Sequence, residues 1–504
     1  MQKCNFNIYI CIYILISVAE NIYCISHAVG LQPDIAFLLK AYAKFIVVYT
    51  LMAVIIALLP KILSYLLILL NSLVNIFCIT YCFYLEEFPS ITSLFDRTDV
   101  ITSMNVLYYI KIPILFLFLL FATLQILSLS RCSTINFLPA KKRAFLLSIV
   151  LMTVIVMISS YGYAKHIDFF RISEKWDFND NIAHRGVLPV WFAEILHPIP
   201  YRGERTCAAG KIHELPIVTE QQPEKIVFIQ VESLDYNLLE TVNGIPVMPE
   251  CSNLARHGML LKIFGEKKAF SSNSDYEVLC TRVSQPPHIA YKKACAYADS
   301  IPSLLSKQGY DIKFFHGWDA TFQEQAYRLM GGKTFFLHDY KEHGYVPATF
   351  TAQQHILDAD LFDLALKKAQ ETEKFFHVVI TMNMHDPIEA FDDGLFAKTP
   401  FSAVYATARK TDTALAAYIK ELPSQTMIII IGDHVPHHGV RSGFVPAIVA
   451  IKGQDLGGKV FPQPYTRCEF SRYLRTLLHI EGVDSSVPVI MEGSQDGIAA
   501  SQDK

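Results

Sequence analysis

The chain has 504 residues, of which 52% are hydrophobic and 18% charged, with a formal net charge of −3. Soluble globular proteins carry about 25% charged residues, so this composition excludes disorder, collagen-like repeats, a coiled coil and a purely soluble enzyme. The charge balance also argues against a nucleic-acid partner, because there is no basic excess to neutralise phosphates.

The first 164 residues are nearly all apolar and predict a transmembrane domain. Five segments approach the about 20 residues that a helix needs to cross the bilayer core: 5–25, 35–59, 62–84, 107–129 and 144–164. The loop after the third segment is acidic, whereas the loop after the fourth holds four basic residues and no acid. The basic loop is cytoplasmic by the positive-inside rule. We therefore expect a multi-pass protein of the cytoplasmic (inner) membrane, with everything after Lys165 on the periplasmic or extracellular side.

Two features of the N-terminal half leave alternatives open. Ser26-His27-Ala28 resembles a signal-peptidase site, so residues 1–28 could instead be a cleaved signal peptide. Residues 165–223 are predicted to be a connector, partly interfacial, because residues 188–196 form a short amphipathic run with two aromatic residues. Packing of this run against the outer domain is the alternative.

Residues 224–490, called here the C-terminal domain, alternate apolar β-type runs with helical patterns, and residues 491–504 form a polar tail. Continuous Val/Ile runs flanked by helices indicate strands buried on both faces. The pattern predicts an α/β domain with a mainly parallel sheet and helices on both faces. The predicted strands are 225–232, 260–265, 310–316, 375–383, 426–432 and 446–452, and the predicted helices are 301–308, 353–369 and 403–422.

Residues of types that commonly bind metal ions follow three of these strands. Glu232 ends the first, Asp433 and His434 end the strand at 426–432, and His385 follows the strand at 375–383. Ligands of parallel sheets bind beyond the carboxyl ends of the strands, and carboxylates with imidazoles suit one divalent cation. The spacing predicts one Mn²⁺ or Zn²⁺ ion and does not choose between them.

A nucleophile is predicted in the segment 270–277, which runs Phe-Ser-Ser-Asn-Ser-Asp-Tyr-Glu. Ser271 there would present a hydroxyl at a helix N-terminus, where backbone N–H groups stabilise a bound phosphate, and a metal ion would activate it. Because Ser, Asn and Asp are also ordinary N-cap residues, a plain helix cap is the alternative.

These landmarks resemble the membrane-bound alkaline-phosphatase/sulfatase superfamily, and within it the lipoteichoic acid synthase-like group with the phosphoglycerol and phosphoethanolamine transferases. The resemblance covers essentially the whole chain. It is carried by a glutamate after the first strand, a hydroxyl that opens a helix, a Phe-His-Gly segment, a histidine after an apolar strand and a Gly-Asp-His segment. In this sequence they are Glu232, Ser271, Phe315-His316-Gly317, His385 and Gly432-Asp433-His434.

The resemblance implies a site and a reaction. Glu232, Asp433, His434 and the Ser271 oxygen would bind the metal, and His385 would act on the phosphoryl group as a ligand or proton donor. A phospholipid would donate its headgroup to Ser271, and an extracytoplasmic glycan or lipid acceptor would then take it. The implied substrate-binding residues are His316, Trp318, Thr321, Phe322, Arg328 and His437.

The sequence departs from the synthase group at three places, and one of them is Asn273, which stands where that group often has an acid. Ser271 stands where that group usually has threonine, with Ser272 beside it, so the register of the nucleophile is open by one residue. Gln323 and Gln325 follow Phe322 in place of the Trp and Arg expected for glycerol phosphate, and Arg328 is the substitute. The alternatives are a phosphodiesterase, phosphatase or sulfatase-like hydrolase of the same fold, or an inactive relative that binds the envelope.

Five cysteines lie in or next to the C-terminal domain: Cys207, Cys251, Cys280, Cys295 and Cys468. An extracytoplasmic location permits disulfides, and Cys280 and Cys295 flank a proline-containing loop of suitable length. Because five is an odd number, at least one of these cysteines is a free thiol, and the pairing of the others stays open.

Overall fold

The computed structural model divides the chain into two compact units, Met1–Tyr201 with Phe350–Gln353 and Arg202–Thr349 with Gln354–Lys504. The residues that it describes are 205–207, 215–216, 221–265, 271–285, 290–293, 297–318, 322–350, 353–385, 388, 394–436 and 442–480, with Ile62, Leu63, Leu66, Leu70, Glu194 and Ile195 separately.

The five predicted spans lie outside these ranges, except for four helical residues: Ile62, Leu63, Leu66 and Leu70. Among the described residues, no helix has both the length and the apolar character that a bilayer span requires.

The described part of the C-terminal domain is built on an eight-stranded sheet. Its strands are β1 Lys225–Val231, β4 Met259–Phe264, β5 Asp311–His316, β6 Lys333–Phe335, β9 Phe375–Ile380, β10 Met427–Gly432, β11 Phe444–Ile451 and β12 Lys459–Tyr465, in the order β12-β4-β11-β10-β1-β9-β5-β6. Only the pairs β10–β11 and β11–β4 are antiparallel, so the prediction of a mainly parallel sheet is confirmed. Two short hairpins pair β2 Thr241–Val242 with β3 Ile245–Pro246, and β7 Ala348–Phe350 with β8 Gln353–His355.

The sheet is covered on both faces. The helices in chain order are α1 Pro249–His257, α2 Ser271–Cys280, α3 Ala290–Lys293, α4 Ile301–Lys307, α5 Phe322–Leu329, α6 Leu337–Glu342, α7 Asp358–Ala369, α8 Ser402–Glu421 and α9 Arg467–Leu477, with a short 3-10 helix at Tyr236–Leu239. Alternate residues of β1 enter separate cores: Ile226 and Phe228 join one, and Val227 and Ile229 join the other. This two-sided burial explains why β1 and β10 are continuously apolar rather than alternating.

All six predicted strands are present, and one predicted helix needs correction. The segment 353–369 was expected to be entirely helical, but α7 begins only at Asp358. Residues 353–355 form β8, and the Ile356 N–H donates to the Gly317 carbonyl at 2.8 Å. Pairing with distant residues therefore overrides the helical pattern at this end.

A disulfide joins Cys207 to Cys468, which lies in the first turn of α9. Cys251 is a buried thiol, and Cys295 lies outside the described residues, so the suggested pairing of Cys280 with Cys295 stays a prediction. The Arg472 guanidinium donates to the Cys207 carbonyl from the same helix. The bond and this contact together fasten segment 205–207 to α9.

Candidate active site

Parallel pairing brings the predicted acidic ligands together. β1 and β10 are neighbours in register, with Val231 opposite Gly432, so the residues that follow both strands emerge side by side. Glu232 therefore lies next to Asp433, whose N–H donates to the Val231 carbonyl at 3.3 Å. The carboxyl edge of the sheet thus assembles two acids that are 201 positions apart in the chain.

Glu232, Asp433 and His434 form a buried cluster whose ligand atoms all lie within 4.8 Å of one another. The His434 Nε2 atom is 3.3 Å from Glu232 Oε1 and 3.4 Å from Asp433 Oδ2. None of the three residues is more than 4% exposed. Two carboxylates and an imidazole at this distance, shielded from water, match the donor set of a transition-metal site.

Ser233 connects the two carboxylates. Its backbone N–H donates to Asp433 Oδ1 at 2.7 Å, and its hydroxyl donates to Glu232 Oε1 at 3.0 Å. To do so it adopts a φ of +53°, a left-handed conformation that costs a non-glycine residue about 1 kcal/mol or more. The role of Ser233 cannot be predicted from the sequence, because a left-handed backbone conformation at a serine leaves no local signal.

The orientation of His434 suits a ligand. Its Nδ1 lies 2.8 Å from the Val435 carbonyl oxygen, and a ring nitrogen must carry the proton to donate to a carbonyl. In the neutral imidazole, Nε2 therefore presents its lone pair toward the carboxylates, as is typical of metal-binding histidines.

The surroundings of the Asp433 carboxylate show whether the clustered residues fit a cation. Its Oδ2 atom is buried and accepts no hydrogen bond from the described residues, which is costly unless another partner binds it. Burial and the charge of Glu232 raise the pKa of Asp433. For Glu232 burial acts in the same upward direction, but the hydrogen bond and charge of His434 outweigh it and lower its pKa. The donor atoms of Glu232, Asp433 and His434 fit one divalent cation.

Ser271 reaches this cluster from the first position of α2. Its Oγ donates to Glu232 Oε2 at 3.1 Å and lies 3.3 Å from His434 Nε2. Ser272 and Ser274 are buried on the same helix, and their hydroxyls have no hydrogen-bond partner among the described residues. Of the serines that open this helix, Ser271 is therefore the one that the fold brings to the cluster.

A group of histidines lies near the cluster. His385 ends the turn after β9, and its ring packs 4.9 Å from the Trp318 indole, measured between centroids. The Trp318 backbone N–H donates to His316 Nδ1 at 3.1 Å. Burial lowers the pKa of His316 to about 4, while the charges of Glu232 and His385 act in opposite directions. His316 is thus neutral at pH 7.

His355 was not predicted from the sequence. It closes β8, is mostly buried, and has its pKa lowered to about 4 by burial and by the charge of His385. The sequence gives no sign that His355 belongs to the site, because the pattern around it predicts a helix.

The remaining predicted substrate-binding residues stay predictions. Arg328 lies on the exposed side of α5 and forms an ion pair with Glu324, at 2.5 Å. Phe322 begins α5, and its side chain is outside the described residues, as are Thr321 and His437.

Comparison with known proteins agrees with this fold. Residues 224–465 match the Sulfatase family model. The integral membrane protein lipooligosaccharide phosphoethanolamine transferase A from Neisseria meningitidis aligns over 93% of this chain and 95% of its own, with 12% identity and a TM-score of 0.53. The lipoteichoic acid synthase LtaP from Listeria monocytogenes aligns over 54% of this chain and 77% of its own, with 16% identity and a TM-score of 0.43. The phosphoglycerol transferase GacH from Streptococcus pyogenes aligns over 54% of this chain and 76% of its own, with 16% identity and a TM-score of 0.41.

The family model covers every strand of the large sheet and all of the clustered residues described above. The predicted resemblance is confirmed at this level: residues 224–465 match the Sulfatase family model.

Proposed function

We propose that this chain is a membrane-anchored, metal-dependent transferase that moves a phospholipid headgroup, phosphoglycerol or phosphoethanolamine, onto an extracytoplasmic glycan or lipid. The observation that carries the proposal is the position of the Ser271 hydroxyl, 3.1 Å from Glu232 Oε2 and 3.3 Å from His434 Nε2, at the start of a helix. A hydroxyl placed at a buried candidate metal site serves as a nucleophile in covalent phosphoryl chemistry.

The first half of the reaction follows from these contacts. A bound divalent cation, Mn²⁺ or Zn²⁺, would lower the pKa of the Ser271 hydroxyl and neutralise charge on the phosphate. Ser271 Oγ bonds to phosphorus while the bond from phosphorus to the glycerol oxygen of diacylglycerol breaks. Glu232 Oε2, which already accepts the Ser271 hydrogen bond, receives the proton. The N–H groups of the first turn of α2, which have no acceptor within the helix, would stabilise the phosphate oxygens.

His385 supplies the proton that the leaving oxygen requires. Its turn lies at the carboxyl edge of the sheet, next to β1, and its charge acts on Glu232. In the second half, the acceptor hydroxyl gives its proton to His385 and attacks phosphorus, and Ser271 Oγ leaves as the Glu232 proton returns. The donor and acceptor oxygens thus exchange at one phosphorus without net change of charge or oxidation state.

Three observations support the membrane location. The Cys207–Cys468 disulfide is typical of an oxidising compartment outside the cytoplasm. The described residues Ile62, Leu63, Leu66 and Leu70 are helical, apolar and 43–76% exposed, as lipid-facing residues would be. The Neisseria transferase that shares the fold over 93% of this chain is described as an integral membrane protein. We therefore propose a transmembrane domain at 1–164, a connector at 165–223, an extracytoplasmic catalytic domain at 224–490 and a polar tail at 491–504.

The test follows headgroup transfer from labelled phosphatidylglycerol and phosphatidylethanolamine in membranes that contain the full chain. We expect diacylglycerol release from one of the two lipids, and loss of that release in Ser271→Ala. Ser272→Ala is the matched control, because its hydroxyl is one residue away and has no partner among the described residues; it should keep its activity. Release of the free headgroup to water in place of a labelled acceptor product would assign a hydrolase. No release from either lipid by folded protein would overturn the proposal.

A further inference from the structure

The turn that carries His385 is fastened by a buried acid from another part of the chain. Asp358, the first residue of α7, is fully buried. Its Oδ1 atom accepts hydrogen bonds from the backbone N–H groups of Met382 at 2.7 Å and Asn383 at 3.1 Å. Its Oδ2 atom accepts from the Thr411 hydroxyl at 2.7 Å. In return, the Asp358 N–H donates to the Asn383 side-chain oxygen at 3.2 Å.

These bonds lie in the middle of the segment that links the metal cluster to His385. At one end, the Thr381 hydroxyl oxygen accepts from the Glu232 N–H at 3.1 Å. At the other end, the His385 N–H donates to the Met382 carbonyl at 3.0 Å and closes the turn. Because Met382 and Asn383 are both bonded to Asp358, the distance between Glu232 and His385 depends on this carboxylate.

The segment that contains Asp358 also supports the other side of the His385 imidazole. Two residues before Asp358, the Ile356 N–H donates to the Gly317 carbonyl at 2.8 Å. Gly317 precedes Trp318, whose ring packs against His385. The segment 356–358 therefore supports both the turn that carries His385 and the residue that packs against its ring.

Helix capping alone does not account for an acid at this position. The partners of Asp358 are two amides and a hydroxyl, with no cation among them, and burying a carboxylate without a cation is costly. Burial raises the pKa of Asp358 to about 6. Ser, Thr or Asn would cap a helix without this cost. Moreover, the bonds of Asp358 reach the His385 turn and Thr411 rather than the first amides of α7.

We propose that Asp358 is a positioning residue that places the His385 imidazole for proton transfer to the leaving oxygen. The inference rests on the proposed function, since it takes His385 as the proton donor. Asp358 itself does not contact the reacting atoms.

The kinetic test compares two leaving groups in the full-length protein. Diacylglycerol needs a proton to leave, whereas 4-nitrophenolate does not, so a displaced His385 should slow only the first reaction. We expect Asp358→Ala to lower diacylglycerol release by about 10- to 100-fold and release from a 4-nitrophenyl ester of the same headgroup much less. Asp358→Asn should retain most activity, because its amide oxygen can still accept from Met382 and Asn383. In Asp358→Ala/His385→Ala, the loss should equal that of His385→Ala alone.

Asp412→Ala is the matched control for stability. Asp412 is also a buried acid that accepts two backbone N–H bonds, from Glu250 and Cys251, both at 2.9 Å, but it holds α1 rather than the His385 turn. It should lower both reactions in parallel, through the folded fraction. An equal loss with both leaving groups in Asp358→Ala, or additive effects of Asp358→Ala and His385→Ala, would overturn the positioning role.

Hydrogen exchange separates this inference from the proposed function, because it needs no turnover. In the full chain, Asp358→Ala should speed amide exchange in the peptide that contains Met382 and Asn383, and Asp412→Ala should not. If the wild type releases diacylglycerol from neither lipid, the proposed function fails; local acceleration at these amides would then still support the positioning of the turn. Unchanged exchange there would overturn the inference.

Discussion

A divalent cation at the candidate site should stabilise the C-terminal domain, because without it the Glu232 and Asp433 carboxylates are buried close together with no cation to offset their repulsion. At 4.8 Å, the bound on the separation of the ligand atoms, two ionised carboxylates repel each other by about 3 to 4 kcal/mol at an effective dielectric constant of about 20. An ion present at about 100 times its dissociation constant stabilises the folded state by about 2.7 kcal/mol. Since about 1 kcal/mol moves the Tm of a domain of this size by roughly 2–4 °C, the metal should raise the Tm by roughly 5–10 °C.

The assay is thermal unfolding of the full chain in detergent, stripped with a chelator and titrated with Zn²⁺, Mn²⁺ or Mg²⁺ at pH 8, where the carboxylates are largely ionised. Asp433→Asn should raise the Tm of the metal-free protein, because one negative charge of the cluster is gone, and should lose the metal-dependent increase. Asp363→Asn is the control: Asp363 is an exposed acid paired with Lys367 at 2.8 Å, and its variant should keep the full increase. An equal metal-dependent increase in Asp433→Asn and the wild type would refute the reasoning.

Three further predictions concern the stability of the same domain. Burial raises the pKa of Asp275 to about 8, so the folded state retains a proton that the unfolded chain releases near pH 4; the free energy of unfolding should therefore fall by about 1.4 kcal/mol per pH unit between about pH 4 and 8. The raised pKa values of Asp358 and Asp433 act in the same direction, so Asp275→Asn should make the slope in urea unfolding less steep by this amount, and an unchanged slope would contradict the assignment. Replacing Cys207 and Cys468 by alanine should cost up to about 5 kcal/mol, because the disulfide closes a loop between positions 261 apart; reductant should lower the Tm of the wild type but not of this variant. Gly432→Ala should cost about 1–3 kcal/mol, since its Cβ would lie 2.6 Å from the Leu234 carbonyl oxygen; a Tm equal to that of the wild type would contradict the predicted clash.

Local pattern was sufficient to predict the main strands and the residues of the candidate metal cluster. Each of the six predicted strands is a run of apolar residues long enough to be buried on both faces, and the sheet is mainly parallel as those runs imply. Glu232, Asp433 and His434 could be found because parallel strands end at one edge, where ligands bind. The two strands of the large sheet that were not predicted carry weak patterns: β6 has three residues, and β12 is a largely exposed edge strand that contains Pro462 and Pro464.

Contacts between distant residues decided the rest of the site. Ser271 and Ser272 are neighbours in the sequence, but successive residues of a helix point about 100° apart, so only the packing of α2 determines which hydroxyl reaches Glu232. Likewise, Ser233 joins the two carboxylates through a left-handed backbone, and Asp358 meets Met382 across 24 positions. The sequence by itself determined the burial and the strand ends, because hydrophobic pattern is local. The tertiary structure alone decided which side of α2 faces the cluster, which cysteines pair, and which hydrogen bonds hold the site. Each of these depends on which remote residue the fold brings into contact.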